Sequence, residues 1–549
     1  MEAALSSQSD GVEAISRQLH PGGLMMDCSG DFAKGHEESL KALADGEVAL
    51  FQPTFTANGL MARADILYRD QSGGFILREV KSSSPPASDD HVFDAAFQYR
   101  VLTEAGVPVS KVELLLLNRE YVRDGQLDPD ALFVPQDVTD RVIGLQGFVS
   151  STIGEAKEID SHEMPPEVGL EDLRIANLSD DEVLHYRPDL RKEDSVLLMP
   201  KSGVGRRKNI EIAAQLSASK GSVSVSGLDN EVLDSVAEAA GTKTRNGHPE
   251  NTNKFKVAFR VATSTQAVIC DSAKIAETIS EIKFPVVFID FETYLSALPP
   301  HDGCRPNDQV PFMASMIRID SPDARAEVMT VIAEPDNGDP RKLVAQAVLD
   351  GCQGAACLVA FNAGFEKTVM RNLAKVLDEG SHDEMFSLVT KFKDIADPFR
   401  KGDFYHPEQY GKASLKRVAG VLLKKKPYEG LEIVNGASAA GVYLKALSGD
   451  TSQWEKAKGQ LIKYCDADVQ CMVDVLSAME NYAGLAKSEQ RFRKHARIGV
   501  RSFGAESIID ADPRTVVHDT SKDAIDKISI DGRDMKKCSA AVRSGGFDR

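Results

Sequence analysis

At 549 residues the chain is too long for one hydrophobic core, and about three domains are expected. Hydrophobic residues at 42% and charged residues at 27% are ordinary globular values that exclude wholesale disorder, and no uninterrupted apolar run of about 18 residues is present to cross a membrane as a helix. A formal net charge of −18 excludes an overall basic surface for holding phosphate backbones and leaves only local basic patches, at 201–208, at 424–426 and at Arg491, Arg493, Lys494, Arg497 and Arg501.

Met1–Gly11 carries neither a basic leader nor an apolar stretch, so a cytoplasmic protein is expected. The eight cysteines are scattered and read as reduced thiols rather than a disulfide framework. Residues 1–30, with Pro21-Gly22-Gly23, are expected to form a loosely held opening segment. From Asp31 to Gly46 the apolar spacing predicts a helix with His36 in its early part, followed by a strand over Val48–Phe55. Ala62–Tyr68 reads as a strand, Asp70–Gly74 as a turn and Phe75–Lys81 as the returning strand. Alternation puts Glu79 and Lys81 on one face, with Asp65 on the neighbouring strand. A carboxylate from each strand can hold a divalent metal while the Lys81 ammonium orients a water. A polar loop over Ser82–Asp90 leads to a helix over Val92–Ala105 that carries Asp94 and Gln98, and a strand follows over Lys111–Asn118.

Asp65, then Glu79-Val80-Lys81, then Gln98 on the next helix resembles the RecB-type branch of the PD-(D/E)XK nucleases. The resemblance implies a restriction-endonuclease-like α/β core over 31–150, with Asp65 and Glu79 as metal ligands and Lys81 and Gln98 as catalytic residues. It also implies that His36 completes the metal shell. The chain departs from relatives that carry an iron–sulfur centre: after Cys28 no cysteine occurs until Cys270, so no cluster is expected. Leu102 stands where those nucleases place a tyrosine one turn after the glutamine.

Residues 151–280 mix acidic stretches, the basic 201–208 and a Gly/Ser/Lys-rich run, and read as a connector domain of undefined fold. Phe284–Thr293 is an apolar, β-branched run ending in Asp290 and Glu292, a buried strand whose two acids share one face while Ile289 and Phe291 pack on the other. Two carboxylates on one face call for a cation, or one of them takes up a proton. Strands over Val310–Ile319 and Ala326–Ala333, a helix over Pro340–Gly351, a short strand over Cys357–Phe361 and a helix over Gly364–Leu377 follow. Glu366 falls at the start of that last helix, and Tyr464 and Asp468 lie one turn apart on a later one. Asp394 reads as a turn cap, His406 as a loop residue and Ser414-Leu415-Lys416 as a helix start with Lys416 as a phosphate contact.

Asp290-x-Glu292, Asn362-x-x-Phe365-Glu366 and Tyr464-x-x-x-Asp468 together resemble the DEDD exonucleases in their tyrosine variant. This implies an RNase H-like core over 281–485, with Asp290, Glu292, Glu366 and Asp468 holding two Mg²⁺ or Mn²⁺ ions and Tyr464 positioning the attacking water. The family usually has Asp where Glu366 stands. With Gly411–Lys416 and Tyr428–Gly436, the pattern is similar to a bacterial fusion family that joins a RecB-type nuclease to a DEDD-type exonuclease and whose function is unassigned. The expected fold is therefore α/β and multidomain, with a basic segment and polar tail over 486–549. The expected function is metal-dependent hydrolysis of DNA or RNA, away from membranes. A nucleic-acid-binding scaffold with one or both sites vestigial is the alternative, and strandedness and oligomeric state stay open.

Overall fold

The computed structural model describes residues 2–26, 30–160, 268–406, 409, 413–423, 428–433, 435–493, 495 and 501–502. Cys28, most of the expected connector with its basic stretch at 201–208, the lysines at 424–426, Lys494, Arg497 and the tail beyond 502 lie outside the described residues. Mixed α/β architecture recurs twice, once on each side of the connector.

The opening segment is not loosely held. It forms a helix, α1 (Glu2–Ser16), a turn of 3-10 helix over Arg17–Leu19 and a short strand, β1 (Leu24–Met25). Val12 is buried and packs, with Ile15 and Leu19, against Phe51, Ile66 and Leu115. The spacing Val12, Ile15, Leu19 is one helical face, and its burial is what orders the segment. Then come α2 (Phe32–Ala44), β2 (Ala49–Phe51), β3 (Thr54–Ala57), β4 (Leu60–Arg63), β5 (Ile66–Arg69), β6 (Phe75–Val80), α3 (Asp89–Glu104), β7 (Val109–Leu117), α4 (Pro129–Leu132), β8 (Phe133–Asp137), α5 (Thr139–Gly144) and α6 (Gln146–Asp160). The helix α2 starts on Asp31, whose carboxylate accepts from the Lys34 amide.

The first sheet has the order β1-β2-β5-β6-β7-β8, with β5 and β6 antiparallel and β6 and β7 parallel. The expected strands over 48–55 and 62–68 are each broken in two. Gln52 sits in the left-handed region (φ 57°), and its amide donates to the Asp65 carbonyl, so both chains turn at the same level. Beyond that corner β3 and β4 pair as a separate hairpin, and Asp65 occupies the bend rather than a strand.

The second unit contains β9 (Ile269–Cys270), α7 (Ser272–Ser280), β10 (Val286–Leu295), β11 (Gln309–Ile319), β12 (Glu327–Ile332), α8 (Arg341–Cys352), β13 (Cys357–Ala360), α9 (Gly364–Ala374), α10 (Glu379–Thr390), β14 (Phe392–Asp394), α11 (Asp397–Lys401), β15 (Phe404–Tyr405), α12 (Leu415–Leu423), α13 (Gly436–Leu447), α14 (Trp454–Tyr482) and β16 (Arg501–Ser502). Its sheet runs β14-β13-β10-β11-β12-β16: β10, β11 and β12 are consecutive antiparallel neighbours, while β13 and β14 run parallel to β10. The central strand β10 is apolar on both faces because both are covered. Val287, Ile289 and Phe291 pack with residues of α8, α9 and α10, and Val286 and Phe288 pack with α14 residues such as Val469, Met472 and Leu476.

Arg491 is not part of an open basic patch. Its guanidinium donates to the carbonyls of Ile279 and Ile282 at the end of α7, and its amide donates to buried Glu480. The two units touch through the loop after β10. Arg123 donates to the carbonyls of Pro299 and Pro300 at 3.0 and 2.8 Å, the Gly125 amide reaches Asp302 at 2.8 Å, and Asn307 Nδ2 donates to the Ser82 carbonyl at 2.9 Å. No helix among the described residues is long and apolar enough to cross a membrane.

Candidate functional site

Four carboxylates converge beside the middle of β10. Asp290 and Glu292 lie on the strand opposite Ser315 and Met313 of β11, and a register shift follows immediately, between Glu292 and Thr293. Glu366 comes from the first turn of α9, where free amides favour a carboxylate. That turn is held tightly. Asn362 takes a left-handed conformation (φ 80°), its amide and that of Ala363 donate to the two oxygens of Asp394 at 2.9 and 3.0 Å, and Arg400 bonds both Asp394 and the Asn362 side chain. Asp394 is thus a turn clamp that presents Glu366. His406, whose amide donates to the Gln409 side chain, is a loop residue.

Asp468 comes from α14 with Tyr464 one turn earlier. That helix is anchored to the sheet by Asp466, between them, whose carboxylate accepts from Ser315 at 2.6 Å and from Thr330. Tyr428 donates to Asp468, and Lys416 donates to the Tyr464 hydroxyl at 3.2 Å with its ammonium over both tyrosine rings. Lys416, expected as a phosphate contact, lies in the site beside these two tyrosines. Cys465, which sequence reasoning missed, places Sγ 3.7 Å from Asp290 Oδ2.

Burial and mutual repulsion act on the whole set. Burial, then Asp468, Glu292 and Glu366, push the Asp290 carboxyl well above its ordinary range. Burial and Asp468 raise Glu292 to about 8 against the pull of Lys416, and burial raises Glu366 to about 8. Burial raises Asp468 although Tyr428 and Tyr464 donate to it. Glu366 is 4% exposed, and its Oε2 is buried without a hydrogen-bond partner. Asp290, Glu292 and Cys465 offer ligand atoms all within 4.8 Å of one another, the sole such group among the described residues. A buried, unpartnered oxygen beside a set of hard oxygen donors fits a divalent cation.

A pH dependence follows. A folded carboxyl raised to about 8 keeps its proton where the unfolded chain has lost it, so the folded state binds more protons above the ordinary value of 4.5 and stability falls as pH rises towards 8. His20 works in the opposite sense: it is lowered to about 4 by burial and by Arg78, and its effect is complete above its ordinary value of 6.5. The window is therefore pH 6.5 to about 8, and Glu79 of the N-terminal unit, also raised to about 8, contributes there with the same sign. In chelator the unfolding free energy, and with it the melting temperature, is expected to fall across that window, the free energy with a limiting slope of about 1.4 kcal/mol per pH unit for each retained proton. Mn²⁺ or Mg²⁺ should restore more stability at the alkaline end. A flat profile by scanning fluorimetry in chelator would refute this account.

The N-terminal residues meet differently. Lys81 Nζ donates to Glu79 Oε1 at 2.9 Å and to Asp94 Oδ2 at 2.5 Å, and Gln98 Nε2 approaches Asp94 Oδ1 at 3.4 Å. Asp65 accepts from the Val80 amide at 2.8 Å and from Gln52 at 3.0 Å, and Gln52 also donates to Glu13 of α1 at 2.8 Å. Glu79 Oε2 and Gln98 Oε1 are buried without partners. Burial, then Asp65, raises Glu79 to about 8, and burial raises Asp65. His36 Nδ1 accepts from the Thr56 amide at 3.2 Å, and no hydrogen bond or ion pair among the described residues links it to Asp65, Glu79 or Lys81. Glu13 and Gln52 were missed, and the helical face of Val12, Ile15 and Leu19 was the signal that α1 would lie here.

A family model described as "Domain of unknown function (DUF2779)" matches residues 287–414, from β10 to the residues just before α12. The chain is 24% identical over 253 residues to "Uncharacterized protein MG366" of Mycoplasma genitalium, a match covering 43% of this chain and 38% of that protein. It is 23% identical over 252 residues to the "Uncharacterized protein MG366 homolog" of Mycoplasma pneumoniae, covering 42% and 38%. The chain thus spans less than two fifths of the length of these curated relatives. No solved structure matches it significantly.

Proposed function

We propose that the chain is a divalent-metal-dependent nuclease that hydrolyses phosphodiester bonds in DNA or RNA, with a 3′–5′ exonuclease site in its C-terminal unit. The observation that carries this reading is the convergence of Asp290, Glu292, Glu366 and Asp468 from a strand and two separate helices, with a buried Glu366 oxygen left without a partner. Three consecutive antiparallel strands followed by two parallel ones, in the order β14-β13-β10-β11-β12, support an RNase H-like core. In the N-terminal unit, the hairpin β5–β6 with parallel β7 reached through α3 supports a restriction-endonuclease-like core with Asp65, Glu79 and Lys81 at its centre.

Mg²⁺ or Mn²⁺ bound by the four acids would polarise a water and neutralise charge on the phosphate. The remaining work falls to the chain. Tyr464, its hydroxyl held by Lys416, orients the water, and Tyr428 fixes Asp468. The Asp394 and Arg400 clamp keeps Glu366 aimed inward, and Lys416 adds positive charge beside the phosphate position.

For the N-terminal site alone, binding without cleavage is a second reading. It is favoured by the Lys81 ammonium, which is already engaged by Asp94 as well as Glu79.

The test is degradation of end-labelled single- and double-stranded DNA and RNA with Mn²⁺ or Mg²⁺. Stepwise trimming from the 3′ end is expected, and it should persist in Glu79→Ala. Any cleavage that Glu79→Ala removes belongs to the N-terminal site. Binding of these substrates with no cleavage under either metal would overturn the enzyme reading.

A further inference from the structure

The four acids do not account for every donor atom in the C-terminal site. Cys465 follows Tyr464 on α14 and is fully buried. Its Sγ lies 3.7 Å from Asp290 Oδ2 and 4.0 Å from the Asp290 carbonyl oxygen. Sulfur and oxygen ligands at about 2.3 and 2.0 Å from one ion, at a tetrahedral angle, are about 3.5 Å apart. The observed spacing is therefore close to that of two ligands on the same cation, and Glu292 supplies a third atom within 4.8 Å of both. The unpartnered oxygen of Glu366 is the independent sign that a ligand belongs here: its charge is felt at Asp290, and no protein donor reaches it.

We propose that one metal position of this site is formed by Asp290, Glu292 and Cys465, so that it takes a thiophilic divalent cation of the Co²⁺ or Zn²⁺ class in preference to Mg²⁺. Mg²⁺ demands oxygen ligands in near-octahedral array, whereas the borderline ions accept a thiolate. Coordination sends the thiol proton to solvent, as it does at other metal–cysteine sites. The inference rests on the nuclease reading for the site's purpose, but the choice of ion follows from the donor set alone.

The test is Co²⁺ titration of the full chain, read by absorbance. Wild type is expected to show a sulfur-to-cobalt charge-transfer band in the near ultraviolet, displaced by Zn²⁺ and untouched by equimolar Mg²⁺. Cys465→Ser should lose the band and bind Co²⁺ at least about tenfold more weakly. Cys352→Ala, which removes another buried thiol on the far side of the sheet, should keep it. Circular dichroism establishes that the variants are folded. If Cys465→Ser does not fold, the band in wild type decides alone: Co²⁺ bound to folded wild type without it overturns the proposal, as does equal Co²⁺ affinity in wild type and Cys465→Ser. Should the thiol prove uninvolved while Mg²⁺-dependent trimming is present, only the metal assignment is lost. If no divalent ion binds at all, the nuclease reading is lost as well.

Discussion

Asp290→Asn is expected to lower metal-dependent trimming by about 10³-fold or more while leaving the fold at least as stable as wild type at pH 8 in chelator. Asp290 is the one acid whose charge is opposed by all three of the others, so it sits at the centre of the set. A ligand at that point supports several kcal/mol of charge stabilisation in the transition state, and about 4 kcal/mol corresponds to about 10³ in rate. The amide keeps the shape of the side chain but carries no charge, so it escapes both the burial penalty and the repulsion. The measurement pairs initial trimming rates with thermal melts of the same preparation. A variant that keeps a tenth of the wild-type rate, or one that is inactive because it has unfolded, would contradict the assignment.

Glu334→Ala is expected to destabilise the C-terminal unit by about 3–5 kcal/mol, the cost of leaving a buried charge without its partner. Glu334 follows β12 and accepts from the Trp454 indole through one oxygen and from the Lys458 ammonium through the other. Lys458 is only 3% exposed. The two donors lie in the first turns of α14, the helix that carries Tyr464, Cys465 and Asp468 to the site, so loss of the anchor should also cost activity. The double variant Glu334→Ala/Lys458→Met removes both charges together and should cost much less. Urea unfolding of the three proteins checks the order. A Glu334→Ala variant within about 1 kcal/mol of wild type would show that the helix is held by its apolar face alone.

How much of this was legible in the chain depends on the range of the interaction. The face shared by Asp290 and Glu292, the packing of Ile289 and Phe291 on the other side, and the single turn between Tyr464 and Asp468 are periodicities of two and about four residues, and a sequence displays those directly. Strand and helix limits over 286–374 also follow from local pattern. The break at Asp65 does not, because it is imposed by Gln52, thirteen residues away, adopting a left-handed conformation that its residue type does not announce. Cys465 and Tyr428 join the acids only through packing of α14 and the segment before α13, contacts that have no period. Arg491 looked like surface charge because the carbonyls it caps, on Ile279 and Ile282, lie about two hundred residues earlier. The helix α1 was legible in principle, since Val12, Ile15 and Leu19 mark one face, but Glu13 gains meaning only once Gln52 connects it to Asp65.

The loop that follows the Glu292 strand has a consequence for how the chain can be divided. Asn307 holds the carbonyl of Ser82, the residue next to Lys81, and Arg123 fastens the Pro299 and Pro300 carbonyls of the same loop. The segment leaving one acid strand is thus fastened to the segment leaving the other. A cut in the long stretch between the units severs the covalent tether without touching this seam, whereas a fragment that ends before residue 299 strips the N-terminal unit of its counterpart. The two halves are complementary pieces, and each is a template for the loops of the other.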